Sequence, residues 1–167
     1  MLDDDYELDE IDRQIIEIVE ENPNISHTDI AEKVERSQPT IGMRIQKLKE
    51  NGILQFQAGL NLKVADMIYA RVEIQTEKPK ELLEEVRGCP YILNAFRLSG
   101  KINVSVLMAN SRIAHLDDIV NHFFRDNPKV KKASMNIITE IVNDFVLPID
   151  LDFTSCECDL KDMCNNS

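Results

Sequence analysis

The chain has 167 residues, of which 43% are hydrophobic and 29% are charged, and it carries a formal net charge of −11. It contains no run near the ~20 apolar residues that a membrane-spanning helix needs, and its acidic opening, MLDDDYELDE, is unlike the basic and then apolar start of a secretion signal. Length and composition therefore exclude an integral membrane protein. They predict a cytoplasmic protein with enough apolar residues for one domain or two small ones.

The negative charge is concentrated at the two ends of the chain. Residues 1–21 carry −9 and residues 150–167 carry −4, so the remainder carries +2. Exposed charges separated by more than ~8 Å are largely screened at physiological salt. The acidic ends therefore argue against non-specific nucleic-acid binding more than against a specific site in the middle of the chain.

Two amphipathic helices are predicted at the start of the chain. Leucine and isoleucine recur at helical spacing from Leu8 to Glu20, which predicts a helix with one apolar face. After a break at Asn22-Pro23-Asn24, Ser26 and Asp29 have the spacing of a capping box and open a second helix.

A third helix is predicted from Ser37 to the pair Asn51-Gly52. Because Pro39 has no N–H, the Ser37 hydroxyl is expected to accept a hydrogen bond from the amide of Thr40. The apolar stripe of this helix consists of Ile41, Ile45 and Leu48, and its basic residues are Arg44, Lys47 and Lys49.

No acidic residue occurs between Ser37 and Lys49, so the outer face of the third helix is suited to phosphate. A capped support helix, a tight turn and a basic helix form the pattern of a helix-turn-helix, in which the last helix enters the major groove of DNA. The alternative from this pattern alone is an ordinary helical hairpin with a solvated face.

The segment from Ile53 to Leu62 has the alternating character of an extended chain and includes Gly59-Leu60-Asn61. It predicts a short β-hairpin, or wing, that leads away from the helices. The first domain, a winged helix-turn-helix, is therefore expected to span residues 1–60.

The spacing of apolar residues predicts a different fold in the second half. Alternation predicts four strands and helical spacing predicts two helices, in the order βαββαβ. The predicted elements are a strand at 68–75, a helix from Pro79, strands at 92–98 and 104–108, a helix at 116–124 and a strand at 132–138. This order is typical of a ferredoxin-like domain, here residues 61–149, with both helices on one face of an antiparallel sheet. Isoleucine and valine on both faces of several strands predict that a second copy of the chain covers the other face.

The first domain and the order of the second together resemble the Lrp/AsnC (leucine-responsive regulator) family. The likeness rests on Leu8-Asp9-Glu10-Ile11-Asp12 at the start, on Ser37, Arg44-Ile45 and Leu48 in the third helix, and on the closing run Glu50-Asn51-Gly52-Ile53-Leu54. It covers about residues 7–145. It implies a sequence-specific transcription regulator that binds double-stranded DNA as a dimer or larger even assembly. The ferredoxin-like half, called the RAM domain in this family, assembles the dimers and binds an effector.

The resemblance places the helix-turn-helix at about His27 to Gln46. The candidates for DNA contact are Ser37, Gln38, Pro39, Thr40, Met43, Arg44, Gln46, Lys47 and Lys49. Lysine ammonium groups suit phosphates, whereas Gln38, Thr40 and Arg44 have the chemistry to contact base edges.

The resemblance also implies an effector site at a G-x-x-D turn between the second and third strands of the RAM domain. The corresponding residues are Ser99, Gly100, Lys101, Ile102 and Asn103. Asn103 stands where the family usually has an acid that holds an amino group, so an amino-acid effector loses a charge partner here. The alternative is a plain β-hairpin whose glycine supplies φ > 0.

The tail, residues 150–167, lies beyond the resemblance and contains Cys156, Cys158 and Cys164. Close-set thiolates suit Zn²⁺, an iron–sulfur cluster or a redox-switchable disulfide. Three cysteines leave a zinc site one ligand short, so Asp159, Asp162 or a second chain is needed to complete it. The alternative is a solvated acidic tail with no such role.

The histidines carry no prediction of a metal site. His115 and His122 are two helical turns, ~10 Å, apart, which is too far for one ion. Both are predicted to lie on the surface, and His27 is predicted to be exposed.

Two other functions are compatible with this architecture. Sirohaem decarboxylases resemble the family in both domains, so an enzyme is the first alternative. The segment Phe56–Val64, however, contains no histidine or arginine, and no acid, base or nucleophile cluster appears elsewhere. The second alternative is a stand-alone RAM ligand-binding module, against which the acid-free third helix argues. The prediction is therefore a regulator with no catalytic residues.

Overall fold

The computed structural model describes residues 6–149, which form two compact units divided between Gln57 and Ala58. The first unit contains three helices, α1 (Glu10–Glu21), α2 (His27–Lys33) and α3 (Gln38–Glu50). The second contains two short strands and a four-stranded sheet with two helices.

The side chains predicted to cap α2 and α3 do so. The Ser26 hydroxyl accepts from the amide of Asp29 at 3.1 Å. In a full capping box, the Asp29 carboxylate would accept from the backbone amide of Ser26. Here it accepts from the Ser26 hydroxyl instead. The Ser37 hydroxyl accepts from the amide of Thr40 at 3.4 Å, as the sequence predicts.

The end of α3 and the turn before it both use left-handed backbone. Gly52 has φ of +68°, and the amide of Ile53 donates to the carbonyl of Leu48 at 2.9 Å, which satisfies one of the last carbonyls of the helix. Glu35, in the turn between α2 and α3, has φ of +54°. Glycine adopts this conformation without steric cost, so the turn is mildly strained.

The core of the first unit is formed by one face of each helix. Ile15 of α1 and Ile41 of α3 are fully buried, and so is Leu48. They pack in one cluster with Ile30 of α2, which confirms the apolar stripes predicted for the three helices. This cluster fixes which face of α3 remains outside.

The predicted β-hairpin between Ile53 and Leu62 is wrong. Residues 53–59 contain no strand, and β1 (Leu60–Asn61) pairs antiparallel with β6 (Val146–Leu147). The amide of Leu62 also donates to the carbonyl of Phe145 at 2.8 Å. Leu60 and Asn61 therefore belong to the second unit and pair with a strand of the same unit far along the chain.

The second unit confirms the predicted βαββαβ order. Its elements are β2 (Ile68–Thr76), α4 (Pro79–Val86), β3 (Ile92–Arg97), β4 (Val104–Asn110), α5 (Ile113–Val120) and β5 (Val130–Ile138). The strands are antiparallel in the spatial order β3-β4-β2-β5. This is a ferredoxin-like sheet. A π-helical turn, Asn121–Arg125, continues α5.

One face of this sheet packs against α4 and α5. Val72 of β2 and Val106 of β4 are fully buried there against Leu82 of α4 and Leu116 of α5. Phe124, in the π-helical turn, is also fully buried in this core.

The opposite face differs from the prediction that aliphatic residues would line it. Near one end, Tyr69 and Ala109 are buried in a small cluster with Leu62. The middle of the face is mostly polar, because Arg71 and Ser105 share a hydrogen bond of 3.0 Å there beside exposed Phe96. Because side chains of β2 alternate between the two faces, its aliphatic residues point toward the helices. Its charged residues, Arg71 and Glu73, lie on the opposite face.

Gly59 allows β1 and β6 to approach each other. A Cβ at this position would lie 2.5 Å from the backbone carbon of Leu147 and 2.9 Å from the nitrogen of Pro148. Gly59→Ala is therefore expected to separate the two strands and to destabilise the second unit by roughly 1–3 kcal/mol. Hydrogen exchange of the Leu62 amide should accelerate. Gly88→Ala is the control, because its Cβ would meet no atom within 4 Å. Unchanged exchange in Gly59→Ala would contradict the close approach.

Candidate nucleic-acid interface

The outer face of α3 carries most of the predicted DNA-contact residues. Thr40 and Arg44 are half-buried, and the others are exposed, namely Ser37, Gln38, Pro39, Met43, Gln46, Lys47 and Lys49. Met43 is the most exposed large apolar residue of this helix, at 69%. All nine lie on α3 or at its N-cap, outside its buried stripe, and four of them, Thr40, Met43, Arg44 and Lys47, line one cleft.

The two hydroxyls at the start of α3 are bonded to each other. The oxygens of Ser37 and Thr40 lie 2.7 Å apart, in addition to the cap that Ser37 provides. The Thr40 side chain is therefore held in one orientation at the N-terminal turn, where unpaired backbone N–H groups favour a phosphate.

Within residues 6–149, Arg44 is the one basic residue of α3 that is bound to acids. Its Nη1 donates to Asp9 at 2.7 Å and to Asp12 at 2.8 Å, and the side chain of Asp12 is only 3% exposed. Asp9 and Asp12 also cap α1 reciprocally, since each carboxylate accepts from the backbone amide of the other. The hydroxyl of Tyr6 donates to Asp12 at 3.0 Å. These four side chains, Tyr6, Asp9, Asp12 and Arg44, are called the Arg44 cluster below.

The charges of the Arg44 cluster stabilise one another. The pKa of Asp9 is lowered, chiefly by the hydrogen bond from the Asp12 amide and then by Arg44. The pKa of Arg44 is raised by its hydrogen bonds to Asp12 and Asp9. The pKa of Tyr6 is raised, first by burial and then by its bond to Asp12. Arg44 therefore keeps its charge, and that charge is already neutralised.

The two lysines of α3 lie over aromatic rings and have no acidic partner among residues 6–149. The Lys47 ammonium is 4.6 Å from the centre of the Tyr6 ring, and the Lys49 ammonium is 5.6 Å from that of Phe56. Cation–π contact orients an ammonium group but leaves its charge unneutralised. Gln46 donates to Glu50 at 2.8 Å.

The Arg44 cluster borders a shallow cleft of about 350 Å³ along α3. Thr40, Met43 and Lys47 line the same cleft. Asp9 and Asp12 were not among the sequence candidates, although their spacing before an apolar run is that of a capping box. Their bond to Arg44, more than 30 residues away, carries no sequence signal.

The predicted effector turn is built differently from the sequence expectation. Ser99, Gly100 and Lys101 are exposed, and Ile102 and Asn103 are half-buried. The Asn103 side chain accepts from the amide of Thr76 at 3.0 Å and donates to its carbonyl at 2.7 Å. Asn103 thus joins the turn to the end of β2. Gly100 does not have positive φ, so the alternative of a glycine-dependent hairpin turn is wrong.

The prediction of a surface position is wrong for His115 and correct for His27. His115 is 1% exposed, stacks edge-on against Tyr91 and bonds through Nδ1 to the Asn110 amide at 3.0 Å. Burial, followed by the nearby charge of Arg112, lowers the pKa of His115, so the ring is neutral at pH 7. His122 is half-buried against Phe123, and His27 is exposed. Helical spacing alone placed His115 wrongly, because it lies on the sheet side of α5.

Cys156, Cys158 and Cys164 lie outside the described residues, so their metal or redox role stays a prediction. Within residues 6–149, no three histidine, cysteine or acidic side chains cluster closely enough to hold a metal ion. In the same part of the chain, every helix is too short or too polar to cross a bilayer.

This geometry defines a DNA-binding protein of the helix-turn-helix class with a separate ferredoxin-like domain. Residues 8–55 match the family described as winged helix-turn-helix DNA-binding, and residues 67–146 match the Lrp/AsnC ligand binding domain. The two matches together cover most of the chain. The chain belongs to the Lrp/AsnC family of transcriptional regulators.

Relatives and solved structures agree with this assignment. The chain is 24% identical over 139 residues to an uncharacterised HTH-type transcriptional regulator of Pyrococcus abyssi, covering 80% of this chain and 94% of the relative. It is 26% identical over 145 residues to another from Pyrococcus furiosus, covering 83% and 95%. An AsnC family transcriptional regulator from Agrobacterium tumefaciens superposes with a TM-score of 0.68 at 25% identity, covering 87% and 99%. E. coli AsnC has the same fold, with a TM-score of 0.67 at 18% identity, covering 84% and 99%.

Proposed function

We propose that this regulator binds operator DNA by placing α3 in the major groove. The observation that carries the proposal is the outer face of α3, where Lys47 and Lys49 have no acidic partner among residues 6–149 and no acid occurs from Ser37 to Lys49. Thr40, in the capped first turn of α3, lines the same cleft as Lys47. A lysine that contacts phosphate sets register and affinity, and the remaining exposed side chains can reach base edges.

We propose that two chains assemble through the uncovered face of the four-stranded sheet. Leu107 of β4, half-buried, lies in the middle of this face, and Phe96, 47% exposed, lies on the neighbouring edge strand β3. Their polar neighbours are Ser105 of β4 and Arg71 and Glu73 of β2. The interface is therefore expected to be mixed, with a small apolar centre. A two-fold dimer would present both α3 helices to half-sites about 10 base pairs apart, or a multiple of that distance.

We propose that the ferredoxin-like domain binds a small effector of the amino-acid class at the turn Ser99–Asn103. Support comes from the match to a ligand binding domain over residues 67–146. The side-chain amide of Asn103 is bonded to Thr76. The effector is therefore expected to contact the exposed residues Ser99, Gly100 and Lys101 and the backbone carbonyls of the turn. Calorimetry with a panel of amino acids tests this, and heats indistinguishable from buffer for all of them would refute it.

We propose that the protein acts in the cytoplasm and without catalysis, by changing the occupancy of DNA. Support comes from the family and from the side chains of the interface, whose charged groups are paired or are positioned over aromatic rings. A sirohaem-decarboxylase-like activity would show as haem-type absorbance in the purified protein, which we do not expect.

Lys47→Ala tests the placement of α3. Affinity for all duplexes is expected to fall by a similar factor, and the slope of log K against log salt should become less steep by roughly one. Lys80→Ala is the matched control, because Lys80 is an exposed lysine of α4 in the other unit. Fluorescence anisotropy between about 50 and 200 mM salt measures both quantities. If Lys47→Ala and Lys80→Ala have the same salt slope as the wild type, α3 does not contact phosphate.

A further inference from the structure

A groove runs along β3, which forms one edge of the four-stranded sheet. Its volume is about 660 Å³, and the outer side of α4 and residues 92–95 line it. Since four consecutive residues of the strand take part, the groove follows the edge of the strand and not one of its faces. A cleft of about 410 Å³ shares Arg87, Ile92 and Leu93 with this groove. Together the two are called the β3 groove below.

The described part of the chain ends beside the β3 groove. Pro148 and Ile149 line the same cleft as Arg87 and Leu93. The residues that follow, 150–167, therefore start at the end of the groove where β3 begins. β3 has six residues and a length of ~20 Å, which a segment of similar length can follow.

The backbone of β3 has groups that point away from the sheet. In an antiparallel pair, residues alternate between those bonded to the neighbouring strand and those that point away from it. Because the amide of Leu98 donates to the carbonyl of Asn103, the amides of Ala95 and Arg97 point away from β4. These two are called the outward amides of β3. The Ala95 amide donates to the side chain of Asn94 at 2.8 Å, a bond that a strand on this edge can replace.

The two edges of the sheet differ in charge. The other edge strand, β5, carries Lys131 and Lys132, whereas β3 has no charged residue before Arg97. Charged side chains on an edge strand hinder its pairing with another strand. β3 is therefore the edge at which an added strand is favoured.

Two cations of the β3 groove are available to an acidic segment. Lys80 forms no ion pair within residues 6–149. Arg87 is bonded to Glu84 at 2.9 Å, with side chains that are 76% and 65% exposed. An exposed pair contributes little to stability, so Arg87 can exchange Glu84 for another acid at little cost. Residues 150–167 carry −4 and begin with an acid.

The sequence directly after Ile149 has the pattern of a strand between two different surroundings. Residues 150–153, Asp-Leu-Asp-Phe, alternate between acidic and apolar side chains. Ile149 packs against the cluster that contains Tyr69, on the face of the sheet opposite the helices. In an extended chain, the apolar pair of this segment lies on the same side as Ile149. That side of β3 carries Phe96, which is 47% exposed.

We propose that residues 150–153 add a fifth strand to the sheet, in the β3 groove of their own chain and parallel to β3. The apolar pair then covers Phe96, and Asp150 lies nearest Arg87, which lines the same cleft as Ile149. The direction is parallel because the segment starts where β3 starts. The β3 groove belongs to the second unit, so this inference goes beyond the DNA contact and the assembly proposed above and does not depend on them.

Hydrogen exchange of the outward amides, measured by NMR in the full chain, tests the added strand. Leu151→Ser combined with Phe153→Ser should accelerate this exchange by about tenfold or more, because the amides lose their backbone partners. Leu160→Ser combined with Met163→Ser is the matched control. It removes two apolar residues of the same tail beyond the ~20 Å that β3 offers, so the exchange should keep its wild-type rate.

Exchange of the charges tests the contact between Asp150 and Arg87. Asp150→Lys and Arg87→Glu should each accelerate exchange of the outward amides by about three- to fivefold, as expected for one exposed ion pair. The double variant restores opposite charges and should return the exchange to within about twofold of the wild type. Arg87 is 76% exposed, so its substitution should leave the melting temperature of the second unit unchanged.

Three results would overturn the proposal. The first is equal exchange of the outward amides in the wild type and in the variant of Leu151 and Phe153. The second is equal acceleration in the control variant of Leu160 and Met163, because the effect would then not belong to residues 150–153. The third is protection that is lost on dilution, which would assign the edge to a second copy of the chain. DNA binding by α3 is measured separately and stands or falls on the salt slope of Lys47→Ala.

Discussion

Leu48→Ala is expected to unfold the first unit and abolish binding to operator DNA. Leu48 is fully buried, and its carbonyl accepts from the amides of Ile53 and Leu54, which close the end of α3. Truncating a buried leucine to alanine costs about 2–5 kcal/mol. A unit of this size has roughly 3–8 kcal/mol in total at typical values per residue. The substitution therefore removes most of the free energy of unfolding of the first unit. The helical circular dichroism signal and DNA binding should both fall.

Met43→Ala is the control for Leu48→Ala, because it shortens an exposed apolar side chain on the same helix. It should leave the melting temperature and the helical circular dichroism unchanged. A Leu48→Ala protein that melts like the wild type would show that the cluster of Ile15, Ile41 and Leu48 does not support α3.

Phe124→Ala is expected to destabilise the second unit by about 3–5 kcal/mol. Phe124 is fully buried, in the π-helical turn that follows α5, with its ring centre 6.2 Å from that of Phe123. Its removal leaves a cavity between the helices and the sheet. The two units have separate cores. In chemical denaturation, the second unit should therefore unfold at a lower denaturant concentration than in the wild type, while the midpoint for the helices of the first unit stays unchanged.

Ile113→Ala provides the comparison, since Ile113 is 51% exposed at the start of α5. Its effect on stability should be within about 0.5 kcal/mol. If Phe124→Ala and Ile113→Ala have equal effects, the core of the second unit does not extend to the π-helical turn. Simultaneous melting of both units would show that their stabilities are not independent.

Local signals in the sequence were sufficient for most of the fold. The Ser37 cap, Asn51-Gly52 and the apolar spacing of α3 predicted that helix to within a residue at each end. Alternation predicted β2, because one face of this strand is buried and the other carries Arg71, Glu73 and Gln75. These features depend only on residues close together in the chain, so the order of residues in the sequence is enough to predict them.

Contacts between distant residues were not predictable in the same way. The pairing of Leu60 with Leu147 involves two strands of two residues each, too short to show a period. The burial of His115 depends on which side of α5 meets the sheet. The partners of Arg44 are the N-cap and a first-turn residue of α1, and no acid occurs near Arg44 in its own helix. The sequence therefore did not show that Arg44 is paired. The sequence therefore predicted the bounds of α3, but the ion pairs of one residue on it depended on tertiary structure.

The pairing of β1 with β6 has a mechanical consequence. Leu60 is the third residue of the second unit, and Leu147 is its partner in the antiparallel pair. Lys63 adds a bond of 2.8 Å to the carbonyl of Val142. Residues 142–147 are therefore hydrogen-bonded to residues 60–63 directly, and a pull on either segment loads these bonds before it loads the four-stranded sheet.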